Sequence, residues 1–178
     1  MDKELIKGLI AEYQQFVKSV SFVKRAVTLS DNFNYVFVGL RRVGKSYLMY
    51  QQIHHLIETG ISPEEILFFN FEDERIAGMD TEHLDMIKRC YEEMYSHRPI
   101  FFLDEIQIVP HWEQFVRRLA DQKYRVYVTG SNAKMLSKDI ATTLGGRFMI
   151  QYVYPFSFRE YLSSNGVQLD KLWIYKNR

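Results

Sequence analysis

The sequence predicts an α/β fold in three layers, with a parallel sheet between two layers of helices. Short apolar runs rich in β-branched and aromatic residues recur at 34–39, 66–71, 100–103, 124–128 and 148–154. Longer stretches between them space their apolar residues at helical intervals. Most of the runs are apolar throughout and do not alternate, as expected of strands covered on both faces.

The elements follow in order. Segment 2–20 places Leu5, Ile6, Leu9, Ile10, Tyr13, Phe16, Val17 and Val20 on one stripe, an N-terminal amphipathic helix occupying 1–22. The run 34–39 stops at Gly39, and a helix is expected from Lys45 to Thr59 with Gly60 as its stop. Ser62-Pro63-Glu64-Glu65 carries the cap and the N1 proline of a helix start. Asp80 or Thr81 opens a helix bearing Leu84, Ile87, Tyr91 and Met94, and Trp112, Phe115, Val116 and Leu119 mark the next. Ser157-Phe158-Arg159-Glu160 is a capping box for a last short helix.

The chain has 178 residues, 47% of them apolar and 25% charged, which suits one packed domain and excludes wholesale disorder. A net charge of +1 provides no global basic field, so a nucleic-acid partner is left without support from charge. Cys90 stands alone, cannot form an internal disulfide and is expected as a small buried residue on a helix. The five histidines do not fall into metal spacing. The N-terminus lacks a signal-peptide run, and no stretch reaches the roughly 20 apolar residues of a membrane span. A cytoplasmic location with no membrane partner is the expectation.

Gly39-Leu40-Arg41-Arg42-Val43-Gly44-Lys45-Ser46 matches the phosphate-binding pattern G-x-x-x-x-G-K-[ST]. Gly39 and Gly44 are read as residues free to adopt backbone angles that let successive N–H groups face one phosphate. The helix beginning at Lys45 turns its positive dipole end toward the same anion. Lys45 adds a full charge, Ser46 a hydroxyl for Mg2+, and Tyr47 completes the cofactor-binding set. Some 60 residues on, Ile100-Phe101-Phe102-Leu103-Asp104-Glu105 is an apolar strand ending in two acids. Asp104 is the candidate to hold Mg2+ with Ser46, and Glu105 the candidate general base for an attacking water. A base beside the metal acid favours hydrolysis over small-molecule phosphorylation. The Asn-Lys-x-Asp guanine reader is absent, which favours ATP. The fold class is then a P-loop NTPase.

The fourth run ends in Thr129-Gly130-Ser131-Asn132. If it lies between the loop strand and the acidic strand, Thr129, Ser131 or Asn132 faces the γ-phosphate. The sequence does not choose among them, and Asn132 and Ser131 are both retained as catalytic candidates. Arg41 and Arg42 at the loop tip touch phosphate, a neighbouring subunit or solvent. Lys24 and Arg25 border an adenine pocket or lie in a solvated turn.

These residues resemble the predicted AAA+ superfamily ATPases of bacteria and archaea, in which an ATPase domain precedes a C-terminal domain of unknown function. The resemblance rests on the loop, on Asn70-Phe71-Glu72-Asp73, Leu103-Asp104-Glu105-Ile106-Gln107 and Thr129-Gly130-Ser131-Asn132, and most specifically on Leu144-Gly145-Gly146-Arg147 and Pro155-Phe156-Ser157-Phe158-Arg159-Glu160. It runs from about Val23 to Leu162, so 23–162 is read as the ATPase domain. It implies a five-stranded parallel sheet in the order 5-1-4-3-2 with Mg·ATP at the strand C-terminal ends. It implies Arg147 as an arginine finger, in cis or from a neighbouring subunit of a homo-oligomer. It makes Asn70 a candidate to hold Glu105 in an inactive pose. AAA+ modules carry a small helical lid after the sheet. Residues 163–178, with Trp173, Ile174 and Tyr175 wanting something to pack against, are therefore read as the start of a missing C-terminal region. Weak ATP hydrolysis by this stretch of chain is the expectation, with a nucleotide-dependent switch of little turnover, or a DNA-associated ATPase, as the alternatives.

Overall fold

The structure, a computed structural model, describes residues 2–131 and 139–167. Five parallel strands, β1 (Asn34–Val38), β2 (Ile66–Asn70), β3 (Ile100–Asp104), β4 (Val126–Gly130) and β5 (Phe148–Tyr152), form one sheet in the order β2-β3-β4-β1-β5. This is the P-loop NTPase order. Helices α1 (Lys3–Ser19), α2 (Lys45–Glu58), α3 (Thr81–Met94), α4 (Trp112–Asp121), α5 (Asp139–Thr143) and α6 (Phe158–Ser164) lie between and around the strands.

The four strands β1 to β4 are buried nearly end to end, as unalternating apolar runs require, and only the edge strand β5 is partly open. Aromatic rings fill the sheet. Tyr127 stacks on Phe102 with centroids 4.5 Å apart and on Tyr35 at 5.9 Å. Such offset pairs add to the area term. Helix α1 buries Ile6, Leu9, Ile10, Tyr13 and Val17 in the same core, and its Gln14 amide donates to the Ile66 carbonyl at the start of β2. Phe16 is close to half exposed and leaves that stripe. Cys90 is buried on α3, as expected.

Several boundaries move. Ser62 does form a capping box with Glu65, yet the helix it opens is a single 3-10 turn, Pro63–Glu65. Ile66 onward goes into the sheet, where its side chains bury fully, and that tertiary gain outweighs the local start signal. β4 begins two residues later than its sequence suggests and extends through Thr129 and Gly130. This puts a polar residue inside a strand.

The register sets the site. Val38 pairs with Gly130, Leu103 with Val128 and Asn70 with Asp104. The C-terminal tips of β1, β2, β3 and β4 therefore form one row. The phosphate-binding pattern, the two acids and the polar end of β4 all follow that row.

Candidate nucleotide site

The loop after β1 turns into α2 through Gly44 at φ +90°, a left-handed conformation that glycine adopts without strain. Arg42 is also left-handed, at φ +63°. Gly39 differs from its sequence reading, because its φ is not positive. A Cβ there would lie 2.3 Å from the Val153 carbonyl oxygen. Gly39 is needed because the chain leaving β5 crosses it, with the Val153 N–H donating to Val38 O at 2.8 Å.

Three side chains converge at the tips of α2, β3 and β4. Asp104 Oδ1 accepts from Ser46 Oγ at 3.1 Å and from Thr129 Oγ1 at 2.5 Å. Thr129 is fully buried, and its hydroxyl also accepts the Glu105 N–H at 2.8 Å. Burial pushes the Asp104 carboxyl up to about 6, against the two hydroxyl hydrogen bonds, with the nearby Glu105 charge adding to the rise.

Glu105 leaves the strand in a left-handed conformation at φ +53°. Its carboxylate is held three ways. Ser131 Oγ donates to Oε2 at 2.9 Å, Gln107 Nε2 donates to Oε2 at 2.6 Å, and Lys45 Nζ lies 3.5 Å from Oε1. Lys45 also donates to Leu40 O at 3.1 Å and is almost wholly buried. The Gln107 amide oxygen is buried with no partner among the described residues. Glu72, exposed on the loop after β2, pairs with Arg41 at 3.0 Å and enters the same cleft of about 780 Å3.

Asn70 does not hold Glu105. Its Oδ1 accepts the Glu72 N–H at 3.0 Å, and the polar grip on Glu105 comes from Ser131, Gln107 and Lys45. Thr129 is committed to Asp104 and the Glu105 backbone and is buried away from the cleft, which leaves Ser131 as the described residue of the trio that reaches the Glu105 carboxylate. Asn132 lies outside the described residues, as do Trp173, Ile174 and Tyr175. Arg147 sits just before β5, at the N-terminal edge of the sheet, with Asn34 donating to its carbonyl and its own Nε donating to Asp121 at 2.6 Å. A five-residue strand, roughly 15 Å long, separates that edge from the loop, beyond the reach of an arginine side chain. Arg147 therefore does not enter the site of its own chain.

Beside the phosphate loop a cavity of about 650 Å3 is lined by Phe22, Val23, Arg25, Tyr47, Pro155 and Phe156 among others. Its mouth shares Arg42, Gly44 and Tyr47 with the cleft. Volume and aromatic lining suit a nucleoside. Arg25 is neither a solvated turn residue nor a free cation. It is buried, and its guanidinium donates to Val43 O, Tyr154 O and Glu160. Arg25 does border a pocket beside the loop, one of the two readings its sequence position offered, while its bracing role, Gln107 and the aromatic walls carried no signal there. No local pattern marks the Arg25 brace or the cavity, because their partners lie far along the chain, and none marks Gln107, which turns back onto Glu105 only two residues away.

A family model described as an AAA domain matches residues 31–162. The chain belongs to the AAA domain family. An uncharacterized protein of Methanocaldococcus jannaschii, MJ1544, is 32% identical over 171 residues, covering 95% of this chain and 37% of its own length. An uncharacterized Haemophilus influenzae protein is 35% identical over 162 residues, covering 86% of this chain and 40% of its own length. The chain thus spans about two fifths of these relatives. The Saccharomyces cerevisiae Hsp104–ADP complex shares the fold, with a TM-score of 0.55 over 93% of this chain and 26% of that one at 15% identity. The AAA domain seen here is thus of the AAA+ P-loop ATPase type. Among the described residues no helix is long and apolar enough to cross a membrane, and no histidine, cysteine and carboxylate cluster could hold a metal.

Proposed function

We infer that this AAA domain binds Mg·ATP across the cleft and the adjoining cavity and hydrolyses it to ADP and phosphate. The observation that carries the reading is the convergence of Ser46, Asp104, Lys45 and Glu105 at one row of strand tips, beneath a loop whose glycine opens α2. Ser46 Oγ and Asp104 Oδ1, 3.1 Å apart, are hard oxygen donors and fit Mg2+. The metal supplies charge neutralisation on the phosphate oxygens when bound.

The roles of this chain's residues follow. Residues 39–47 (Gly39, Leu40, Arg41, Arg42, Val43, Gly44, Lys45, Ser46 and Tyr47) cradle the triphosphate, with the dipole of α2 behind them. A triphosphate competes with Glu105 for Lys45, so binding frees one of the three holds on the base. Glu105 then accepts the proton of the attacking water, whose oxygen bonds to the γ-phosphorus as ADP leaves. Ser131, already on Glu105 Oε2, reports the state of the base to β4, and Asn132 follows it in the chain as a γ-phosphate contact. Arg147 acts from a neighbouring copy, since its own site is out of reach. Residues 23–162 form the nucleotide-binding unit.

Melting curves with Mg·ATP, Mg·ADP and Mg·GTP test binding. A ligand at 100 times its dissociation constant adds about 2.7 kcal/mol. That raises the midpoint of a chain this size by roughly 5–10 °C. The shift should appear with adenine nucleotides and vanish in Lys45→Ala. No shift in the wild type overturns the reading. Glu105→Gln should bind ATP and release no phosphate, and unchanged turnover removes Glu105 from the mechanism. A second reading, a switch with little turnover, is favoured by the three-way hold on Glu105. It predicts multiple turnover far slower than nucleotide exchange.

A further inference from the structure

Arg25 braces three separate stretches of chain. Its Nη1 donates to Val43 O in the phosphate loop at 3.0 Å. Its Nη2 donates to Tyr154 O, on the chain leaving β5, at 2.8 Å. Its Nε donates to Glu160 Oε1 on α6 at 3.0 Å, an ion pair with both side chains largely buried. The backbone of Arg25 is fixed as well. Gln51 of α2 accepts from its N–H at 2.7 Å and donates to its carbonyl at 3.1 Å. The guanidinium plane also lies 5.2 Å from the Phe156 ring. One residue far from the loop in sequence thus carries loop, strand exit and last helix together. Only a rigid fork of donors can do this, which a lysine lacks.

Glu160 does two jobs with one carboxylate. Its Oε2 accepts from Ser157 N at 2.8 Å and Ser157 Oγ at 2.9 Å, closing the capping box of α6. Its Oε1 meets Arg25. No α6 side chain from Phe158 to Ser164 is fully buried, and Phe158 and Tyr161 stand mostly exposed. The helix is therefore held by its cap and by Arg25 more than by packing. Arg25 and Phe156 are also walls of the 650 Å3 cavity, and Val43 closes it from the loop side.

We propose that the Arg25–Glu160 pair couples occupancy of the nucleotide site to the position and stability of α6. A nucleotide in the cavity and cleft presses on Val43, Arg25 and Phe156. Arg25 transmits the change to the cap of α6 through Glu160. By reciprocity, a ligand whose affinity for α6 changes with nucleotide occupancy changes nucleotide affinity by the same factor. Arg25 and Glu160 are positioning residues here, and this role rests on the nucleotide-site reading above.

Amide hydrogen exchange with and without Mg·ADP tests it, alongside direct titration of nucleotide binding. In the wild type, bound Mg·ADP should slow exchange of residues 158–164 by about fivefold or more, the lower end of ordinary coupling. Glu160→Gln removes the charge but keeps a capping-box residue at that position. It should bind Mg·ADP within about threefold of wild type while its α6 exchange no longer responds. Glu160→Asp, one methylene too short to serve cap and guanidinium together, should behave the same. Persistent strong protection of β1 and β4 relative to α6 confirms that each variant is folded. A full nucleotide response of α6 in both variants overturns the coupling. So does a wild type that binds Mg·ADP with no change in α6. A wild type that does not bind at all instead refutes the nucleotide-site reading, and the coupling with it.

Discussion

Thr129→Val is the sharpest test of how the site is held together. Valine matches threonine in shape and removes one hydroxyl. That hydroxyl is fully buried, donates to Asp104 Oδ1 at 2.5 Å and accepts the Glu105 N–H at 2.8 Å. At pH 8 the Asp104 carboxylate is charged, and losing a hydrogen bond to it costs about 1.5–3 kcal/mol. The Glu105 N–H is left without that acceptor in a buried turn, at about 1–3 kcal/mol more. The added methyl returns roughly 1 kcal/mol of burial. The net loss is about 1.5–5 kcal/mol. For a chain this size that lowers the melting midpoint by roughly 3–20 °C. Thr129→Ser keeps the hydroxyl and loses one methyl, so it should fall by about 1–1.5 kcal/mol. Urea unfolding at pH 8, read by far-ultraviolet circular dichroism, measures both. If Thr129→Val lies within 0.5 kcal/mol of wild type, or Thr129→Ser is the weaker of the two, the hydroxyl is not the tie between β3 and β4 and the reasoning fails (the threshold is about the scatter of ordinary surface changes).

Other outcomes follow from the same structure. Asp104→Asn keeps the acceptor for Ser46 and Thr129 and removes a buried charge. The carboxyl is raised from 3.8 to about 6, so its destabilising effect is absent below pH 4 and fully developed above pH 6. Asp104→Asn should therefore be more stable than wild type by about 2–3 kcal/mol at pH 8, converging with it near pH 4 in urea titrations, while losing Mg2+-dependent nucleotide binding. Glu160 behaves with the opposite sign. The Arg25 guanidinium and the Ser157 cap lower its carboxyl from 4.5 to about 2. Its contribution is complete above pH 4.5 and is lost as the pH falls toward 2, so Glu160→Gln should melt below wild type at pH 7 and close the gap across that window. Gly39→Ala should be more destabilising than Gly44→Ala in thermal melts. The first drives a methyl to 2.3 Å from the Val153 carbonyl, whereas the second meets only an Arg25 nitrogen at 3.8 Å and adds backbone strain of about 1–2 kcal/mol.

Much of this was legible in the sequence. The phosphate loop and the acids after β3 are contiguous strings whose geometry is local. A glycine before a helix start and a carboxylate at a strand end act within a few residues of themselves. The apolar runs without alternation announced a buried parallel sheet because both faces of such strands must be covered. What composition, spacing and periodicity alone could not fix was which strand tips stand side by side. Only the crossing of β4 between β1 and β3 turned Thr129 into a buried bridge and left Ser131 on Glu105.

Three further features were decided by tertiary structure. Arg25 carried no local signal, since its partners Val43, Tyr154 and Glu160 converge from distant stretches of chain. Arg147 follows a turn that the sequence marks with two glycines, yet its place depends on β5 running parallel to β1, which sets it at the far edge from the loop. The loop pattern suggests backbone freedom for Gly39, whereas the close passage of Val153 is what requires it. The sequence by itself determined the chemistry that each short segment carries, because hydrogen bonding and backbone conformation there are short-ranged. The tertiary structure decided which segments meet, because parallel strands are joined by long crossovers, and their pairing is chosen by burial of the whole core and not by the residues at the tips.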